Sequence, residues 1–445
     1  MPILSKEEAQ ALLKKVLSYS KADECEVSIN GSDAGNIRYA RNSVSTSGAI
    51  SQNSLAVSSA FGKKLGIATI NEFDDESLKK VVIRAEELAH LAPENPEYVS
   101  ILGPQDYAAP SKQYVPETAS ITPKLRADAV DLSLKVAKDN KLTAAGFVQN
   151  SIAYSAFMNS KGLFAYNTST DINFSVTLRT ADSKGSGYIT RDYNDVKYFD
   201  AEAFTKIAAQ KATGSIGARA LEPGKYTVIL EPAAGIVLLE NLIGGLDARQ
   251  ADEGRSFLSK PGGKTKLGEK MLDERVNIYS DPWNPELPTA YWNGDGRPQE
   301  KMSWIEKGVV KNLYYSRYWA QKQNVKAIPG PDAFIMDGTD TSLADLIKGT
   351  EKGILVTRLW YIRPVDPQTL LYTGLTRDGT FYIENGEIKF PVKNFRFNES
   401  PVIMLNNLEA LGKPQRTVSG ESGTNGLIPP MKIRDFTFSS LSDAV

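Results

Sequence analysis

Histidine and cysteine are almost missing from this chain: its 445 residues include one of each, His90 and Cys25. One cysteine excludes an intramolecular disulfide framework. One histidine removes the usual imidazole ligands from any zinc centre. An excess of one charge is lacking too, with 52 Lys and Arg against 53 Asp and Glu. A net charge of −1 gives no electrostatic reason to expect nucleic acid, whose binding usually needs a basic face. The most apolar stretch, around residue 236, is interrupted by Glu231, Pro232 and Glu240, which argues against a membrane span. The opening MPILSKEEAQALLKKVL carries acidic residues and no continuous apolar core, unlike a secretory signal. The expected location is the cytoplasm. Gly262-Gly263-Lys264-Thr265 lacks the spacing of a phosphate loop.

What remains is the composition of a globular protein, 41% hydrophobic and 24% charged, long enough for two or three domains. Ser5 followed by Glu7 and Glu8 predicts a helix start, and Ala9, Leu12, Leu13, Val16 and Leu17 continue at helical spacing. Strands are expected at 25–29, 36–47, 55–59 and 65–71, with Gly31 and Gly35 as breaks, followed by a helix over 77–91. Residues 93–123 are spaced by prolines and read as an extended connector. The order then recurs: a helix from 124 to 138, strands over 143–157, 163–167 and 172–180, and a helix over 201–212. An N-terminal α+β domain with a helix–antiparallel strands–helix pseudo-repeat is therefore expected over residues 1–220. From 221 to 445 strands dominate, and Asn385-Gly386 between two apolar runs signals a hairpin.

The second half is organised around LEPGKYTVILEPAAGIVLLENLIGGLDARQADEGRSFLSKPG, residues 221–262. A strand over 226–230 leads to Pro232, which suits the first turn of a helix. From 233 to 246 nearly every residue is apolar, and Ile236, Leu239, Leu242, Ile243 and Leu246 form one broad stripe. Such a helix belongs in the interior of a β-rich domain. Glu240 and Asn241 are its two polar residues.

This stretch resembles the central segment of the TldD/PmbA family, whose PmbA members are also called TldE and were labelled modulators of DNA gyrase. Gly308-Val309-Val310-Lys311-Asn312-Leu313-Tyr314, Gly374-Leu375-Thr376-Arg377-Asp378-Gly379 and Asn385-Gly386-Glu387-Ile388-Lys389-Phe390-Pro391-Val392 extend the likeness. In the peptidase branch the helix carries His-Glu-x-x-x-His, and a Gly-x-Cys-Gly stretch near the C-terminus supplies a further zinc ligand. The resemblance puts Glu240 and Gly245 at the two histidines, Asn241 at the catalytic glutamate and Ser422 at the cysteine. It therefore implies no zinc ligand set, no catalytic residue and no cofactor of the chain's own. It implies instead a subunit that forms a homodimer, or a heterodimer with a zinc-bearing TldD-like paralogue, in a peptidase acting on small peptides and unfolded proteins.

Read by themselves, these residues leave alternatives open. Glu240 is expected to pair with an Arg or Lys, or to reach solvent at the helix edge. Ser422 in its glycine-bracketed loop could serve a hydrolase, but a serine nucleophile needs a base and His90 is the chain's only imidazole. Trp283, Tyr291 and Trp292 are weak candidates for contacting a peptide substrate, with β-domain core as the competing role. A peptide-binding or assembly module without proteolytic chemistry is the alternative from another class.

Overall fold

The computed structural model describes residues 3–442. Helix α1 (Lys6–Leu17) opens in a capping box: Glu8 N–H donates to the Ser5 hydroxyl, and Ser5 N–H donates back to the Glu8 carboxylate at 2.8 Å. Three antiparallel strands follow, β1 (Glu24–Ala40), β2 (Ser43–Phe61) and β3 (Lys64–Ile70), then α2 (Asp75–Leu91). Beyond the connector, which holds one short helix, α3 (Pro116–Ala119), the series repeats. It runs α4 (Pro123–Asp139), β4 (Thr143–Asn159), β5 (Phe164–Arg179), β6 (Ser186–Tyr193) and α5 (Ala201–Gly214).

The two copies join edge to edge. β1 and β4 pair antiparallel, with Ile29 opposite Ala156, and the six strands run β3-β2-β1-β4-β5-β6. Because side chains alternate across a strand, Val27, Ile29, Ile37 and Tyr39 all point to one face. Helices α1 and α2 cover one end of that face and α4 and α5 the other, so two separate apolar clusters form.

Long strands replace the shorter ones expected. Gly31 and Gly35 lie inside β1 and break nothing: a side chain at Gly31 would collide with Tyr154 and Asn53, and one at Gly35 with the Arg126 guanidinium. They permit close approach rather than a turn. The turn falls instead at Arg41 and Asn42, both with positive φ, inside the segment 36–47. The two strands expected over 163–180 are one, β5, and β6 was not anticipated. Gly187 within β6 faces the α5 backbone so closely that only glycine fits, and its missing side chain interrupts the apolar pattern.

In the second half β7 (Gly224–Leu230) leads directly into α6 (Pro232–Gly244), with Pro232 in the first turn. Strand β7 is central in a nine-stranded sheet, between Met431–Leu441 and a parallel neighbour, Lys352–Val356. A second sheet of six strands contains Ile278–Ser280, Ala333–Met336, Gln415–Val418 and Asn425–Ile428. Helix α6 shares one apolar cluster with both sheets: Val228, Val356 and Phe397 come from the first, and Ile278, Phe334 and Ile428 from the second. Ile236, Leu238 and Leu239 are fully buried, so the interior position expected of this helix holds. Asn385 and Gly386, both at positive φ, turn Thr380–Glu384 into Glu387–Pro391 as the dipeptide predicts.

The connector ties the halves together. Glu97 receives both guanidinium nitrogens of Arg249, at 2.7 and 2.8 Å, and the Tyr107 hydroxyl donates to the Gly296 carbonyl at 2.5 Å. No helix among the described residues is long and apolar enough to cross a membrane.

Candidate functional site

Helix α6 is not buried all round. Glu240, Asn241, Gly244 and Gly245 form the sector left open at its C-terminal end. Over this sector folds the loop 419–424, which joins Gln415–Val418 to Asn425–Ile428 as a hairpin. Its tightness comes from Gly423 at φ +81, and from Gly423 N–H donating to the Ser419 carbonyl at 3.0 Å.

Three hydroxyls of this loop surround one carboxylate. The Ser422 hydroxyl donates to Glu240 Oε2 at 2.6 Å and the Ser419 hydroxyl to Oε1 at 3.0 Å. Thr424 Oγ1 stands 2.9 Å from Ser422 Oγ. Ser419 is buried, and its oxygen also accepts the Glu421 and Ser422 N–H groups at 3.3 and 3.4 Å. Burial pushes the Glu240 carboxyl above its usual range, and the charge of Glu421 adds to this, whereas the hydroxyls pull the other way. Of the two expectations for Glu240, it lies half-buried at the open edge of the helix, and neutral hydroxyl donors stand where an Arg or Lys partner was expected. Hydroxyls can satisfy a half-buried carboxylate without a second buried charge.

The other expected positions are arranged differently. Asn241 turns back on its own helix, donating from Nδ2 to the Val237 carbonyl at 2.6 Å. Gly244 and Gly245 mark the end of α6, with Gly245 as its C-cap, and the Tyr314 hydroxyl donates to the Gly244 carbonyl at 2.8 Å. The 419–424 loop thus meets the helix at Glu240, one turn before the glycine pair. A side chain on Gly245 would press on Phe257, whereas one on Gly244 would meet open space.

Tyr291 and Trp292 sit in a small apolar cluster. Both are buried, and with Trp283 they pack against Phe157 and Leu163 beside the first sheet. The Tyr291 hydroxyl donates to the Tyr166 carbonyl, and Trp283 Nε1 to the Ala109 carbonyl at 2.7 Å. Tyr291 and Trp292 are core between the halves, with half-buried Trp283 packed at its edge. His90 is exposed at the end of α2 and stacks on Phe61, whereas Ser422 bonds to Glu240 and Thr424.

Sequence reasoning missed a cationic and aromatic wall beside the loop. Arg358 stacks over the Tyr188 ring at 3.7 Å and pairs with the buried Asp378 at 2.6 Å. Tyr188 comes from β6, so the wall draws on both halves of the chain. Next to it Tyr361 N–H donates to Glu421 at 2.9 Å, and Tyr361 adopts φ +58, a costly conformation for an aromatic residue. Arg377-Asp378-Gly379 was visible as a motif, but its partner Arg358 carries no local signal.

Comparison with known proteins places this architecture in a class, the metallopeptidase-type α+β proteins. The fold matches TldE from Thermococcus kodakarensis with a TM-score of 0.86 at 20% identity, covering 97% of this chain and 99% of that one. A family described as PmbA/TldA metallopeptidase central domain matches residues 116–220, and its C-terminal domain matches residues 223–440. The chain belongs to the PmbA/TldD metallopeptidase family. Metalloprotease PmbA of Escherichia coli O157:H7 is 22% identical, with 97% of this chain and 98% of that protein aligned. A metalloprotease of Methanothermobacter thermautotrophicus is 25% identical over 64% of this chain and 67% of its own length.

The zinc ion of the peptidase branch does not fit the residues found here. A catalytic zinc needs three protein ligands from His, Cys or carboxylate. The cluster offers one carboxylate, already engaged by two hydroxyls. Among the described residues no group of three or more His, Cys, Asp or Glu is placed to hold a metal.

Proposed function

We propose that this chain is the metal-free, TldE/PmbA-like subunit of a cytoplasmic peptidase assembly that processes or degrades small peptides and unfolded proteins. Its role is architectural: it closes part of the substrate space while a zinc-bearing TldD-like relative supplies the chemistry. The observation that supports this reading is the clasp of Ser419 and Ser422 on Glu240, which engages with neutral hydroxyls two of the positions, Glu240 and Ser422, that the resemblance aligns with zinc ligands. Co-expression with a TldD-type relative from the same genome, followed by affinity capture of this chain, is the test. A stoichiometric complex that hydrolyses unstructured peptides, with zinc only in the relative, is expected. Stoichiometric zinc in this chain alone, or no complex, overturns the reading.

A second reading draws support from one bond. Ser422 is hydrogen-bonded to a carboxylate that could take its proton, at 2.6 Å. Were the chain an independent hydrolase, the isolated protein would cleave peptides with chelator present, and Ser422→Ala would abolish cleavage. If it acts only as a peptide-binding module, it retains peptide without cleaving it in either state.

A further inference from the structure

A cleft of about 480 Å³ opens between the halves where α5 ends. Lys184, Ser186 and Ser215 line it from the first half, and Asp378, Thr380 and Lys393 from the second. Lys184 and Lys393 are exposed, and neither forms an ion pair among the described residues. The acids nearby are otherwise engaged. Asp378 is held by Arg358 at 2.6 Å, with Arg377 Nε at 3.8 Å. Asp182 accepts from the Thr180 hydroxyl at 2.6 Å and from Lys184 N–H at 3.1 Å. The two ammonium groups therefore remain uncompensated. Ser186 is 7% exposed and its hydroxyl has no hydrogen-bond partner among the described residues, although buried hydroxyls normally find one. Oδ1 of Asp378 is buried in the same unpaired state.

We infer that this cleft binds a phosphate monoester of a small polyhydroxylated molecule, such as a sugar phosphate. Charge selects the phosphate. Two lysines suit a dianion and meet it as point charges, whereas a planar carboxylate is matched better by the fork of arginine. The neutral groups select the rest of the ligand. The Ser215 hydroxyl donates to the Lys211 carbonyl at 2.7 Å and the Thr380 hydroxyl to Asn394 Oδ1 at 3.4 Å, so both oxygens can accept from ligand hydroxyls. Ser186 can donate or accept, and Asp378 Oδ1 accepts. No aromatic ring lines the cleft, so a nucleobase would have nothing to stack on. The volume falls within the range of small-molecule sites. A ligand here touches both halves of the chain. The inference is independent of the peptidase reading.

The test titrates the full chain at low salt, where screening is weakest, with glucose 6-phosphate, glucose and inorganic phosphate in a calorimeter. Saturable one-to-one binding of glucose 6-phosphate is expected, with inorganic phosphate weaker by at least about tenfold and glucose not binding. Lys184→Gln and Lys393→Gln, both at exposed positions, should each weaken glucose 6-phosphate about tenfold and leave the Tm of the free protein unchanged. Lys63→Gln, in the turn between β2 and β3 at the opposite edge of the first sheet, should change nothing. Glucose 6-phosphate should also raise Tm, since it binds only the folded chain. No binding at about 10 mM, equal affinity for inorganic phosphate and the sugar phosphate, or an affinity indifferent to both lysine changes overturns the inference. Peptide cleavage and affinity capture are not read here, so failure of this site and failure of the proposed function are distinguishable.

Discussion

The Ser422 hydroxyl lies 2.6 Å from Oε2 of Glu240, although the two residues stand 182 positions apart. Around this contact the hairpin of one sheet is held to the helix between two sheets.

Glu240 should make the fold sensitive to alkali. Its carboxyl is raised above the ordinary value of 4.5, chiefly by burial. A raised carboxyl contributes stability that is fully present below the unfolded value and is lost as pH rises through the folded one. Glu240→Gln keeps the shape and stays neutral. Urea unfolding of both proteins at about pH 4.5 and about pH 8 should show the variant gaining on the wild type at the higher pH. An unchanged difference between the two pH values would mean that Glu240 is solvated as an ordinary surface carboxylate.

Asp378 should be costly to remove. It is 2% exposed and pairs with Arg358, whose side chain is 12% exposed. Deleting one partner strands a charge that is largely out of water, so Asp378→Ala should cost about 3 kcal/mol. Replacing both by apolar residues should cost less than this. A double-variant loss equal to the sum of the two single-variant losses in denaturant titrations would refute the coupling.

The glycines should separate by what lies over them. An alanine methyl at Gly66 would meet the backbone of Ala85 and Ala89 in α2, whereas one at Gly244 meets nothing within 4 Å. Gly66→Ala should destabilise by about 1–3 kcal/mol through overpacking. Gly244→Ala, in the exposed last turn of α6, should stabilise by about 0.5–1 kcal/mol. Thermal unfolding of the pair reads both signs at once.

Restoring ligands should create a metal site only if Phe257 is allowed for. Glu240→His and Ser422→Cys put an imidazole and a thiol at positions already in contact. Gly245→His brings the third, but its side chain starts 2.9 Å from the Phe257 ring. The triple variant with Phe257→Ala should bind zinc in titration calorimetry, and the unaltered chain should carry none after dialysis. Failure of the folded variant to bind at millimolar zinc would show that helix and hairpin do not present the three side chains to one point.

Much of the fold was legible where one signal suffices. Capping at Ser5, proline at position 232, the apolar stripe of α6 and the Asn385-Gly386 hairpin all act within a few residues of themselves. Gly31 and Gly35 were misread because glycine serves turns and close approaches alike, and only Tyr154 and Arg126, placed by β4 and α4, distinguish the two. Trp283, Tyr291 and Trp292 were visible as a cluster, but whether they met a ligand or the first sheet depended on how the halves dock.

The sequence by itself determined that α6 is interior, that the first half repeats its pattern, and that the chain holds one histidine and one cysteine. These follow from side-chain chemistry and periodicity, which need no distant partner. Tertiary structure alone decided that Glu240 is satisfied by Ser419 and Ser422, and that Arg358 reaches Asp378 and Tyr188. Each depends on segments far apart in the chain being fixed by a shared core. A hydrogen bond over a few ångströms is set by that packing, not by any motif the residues carry.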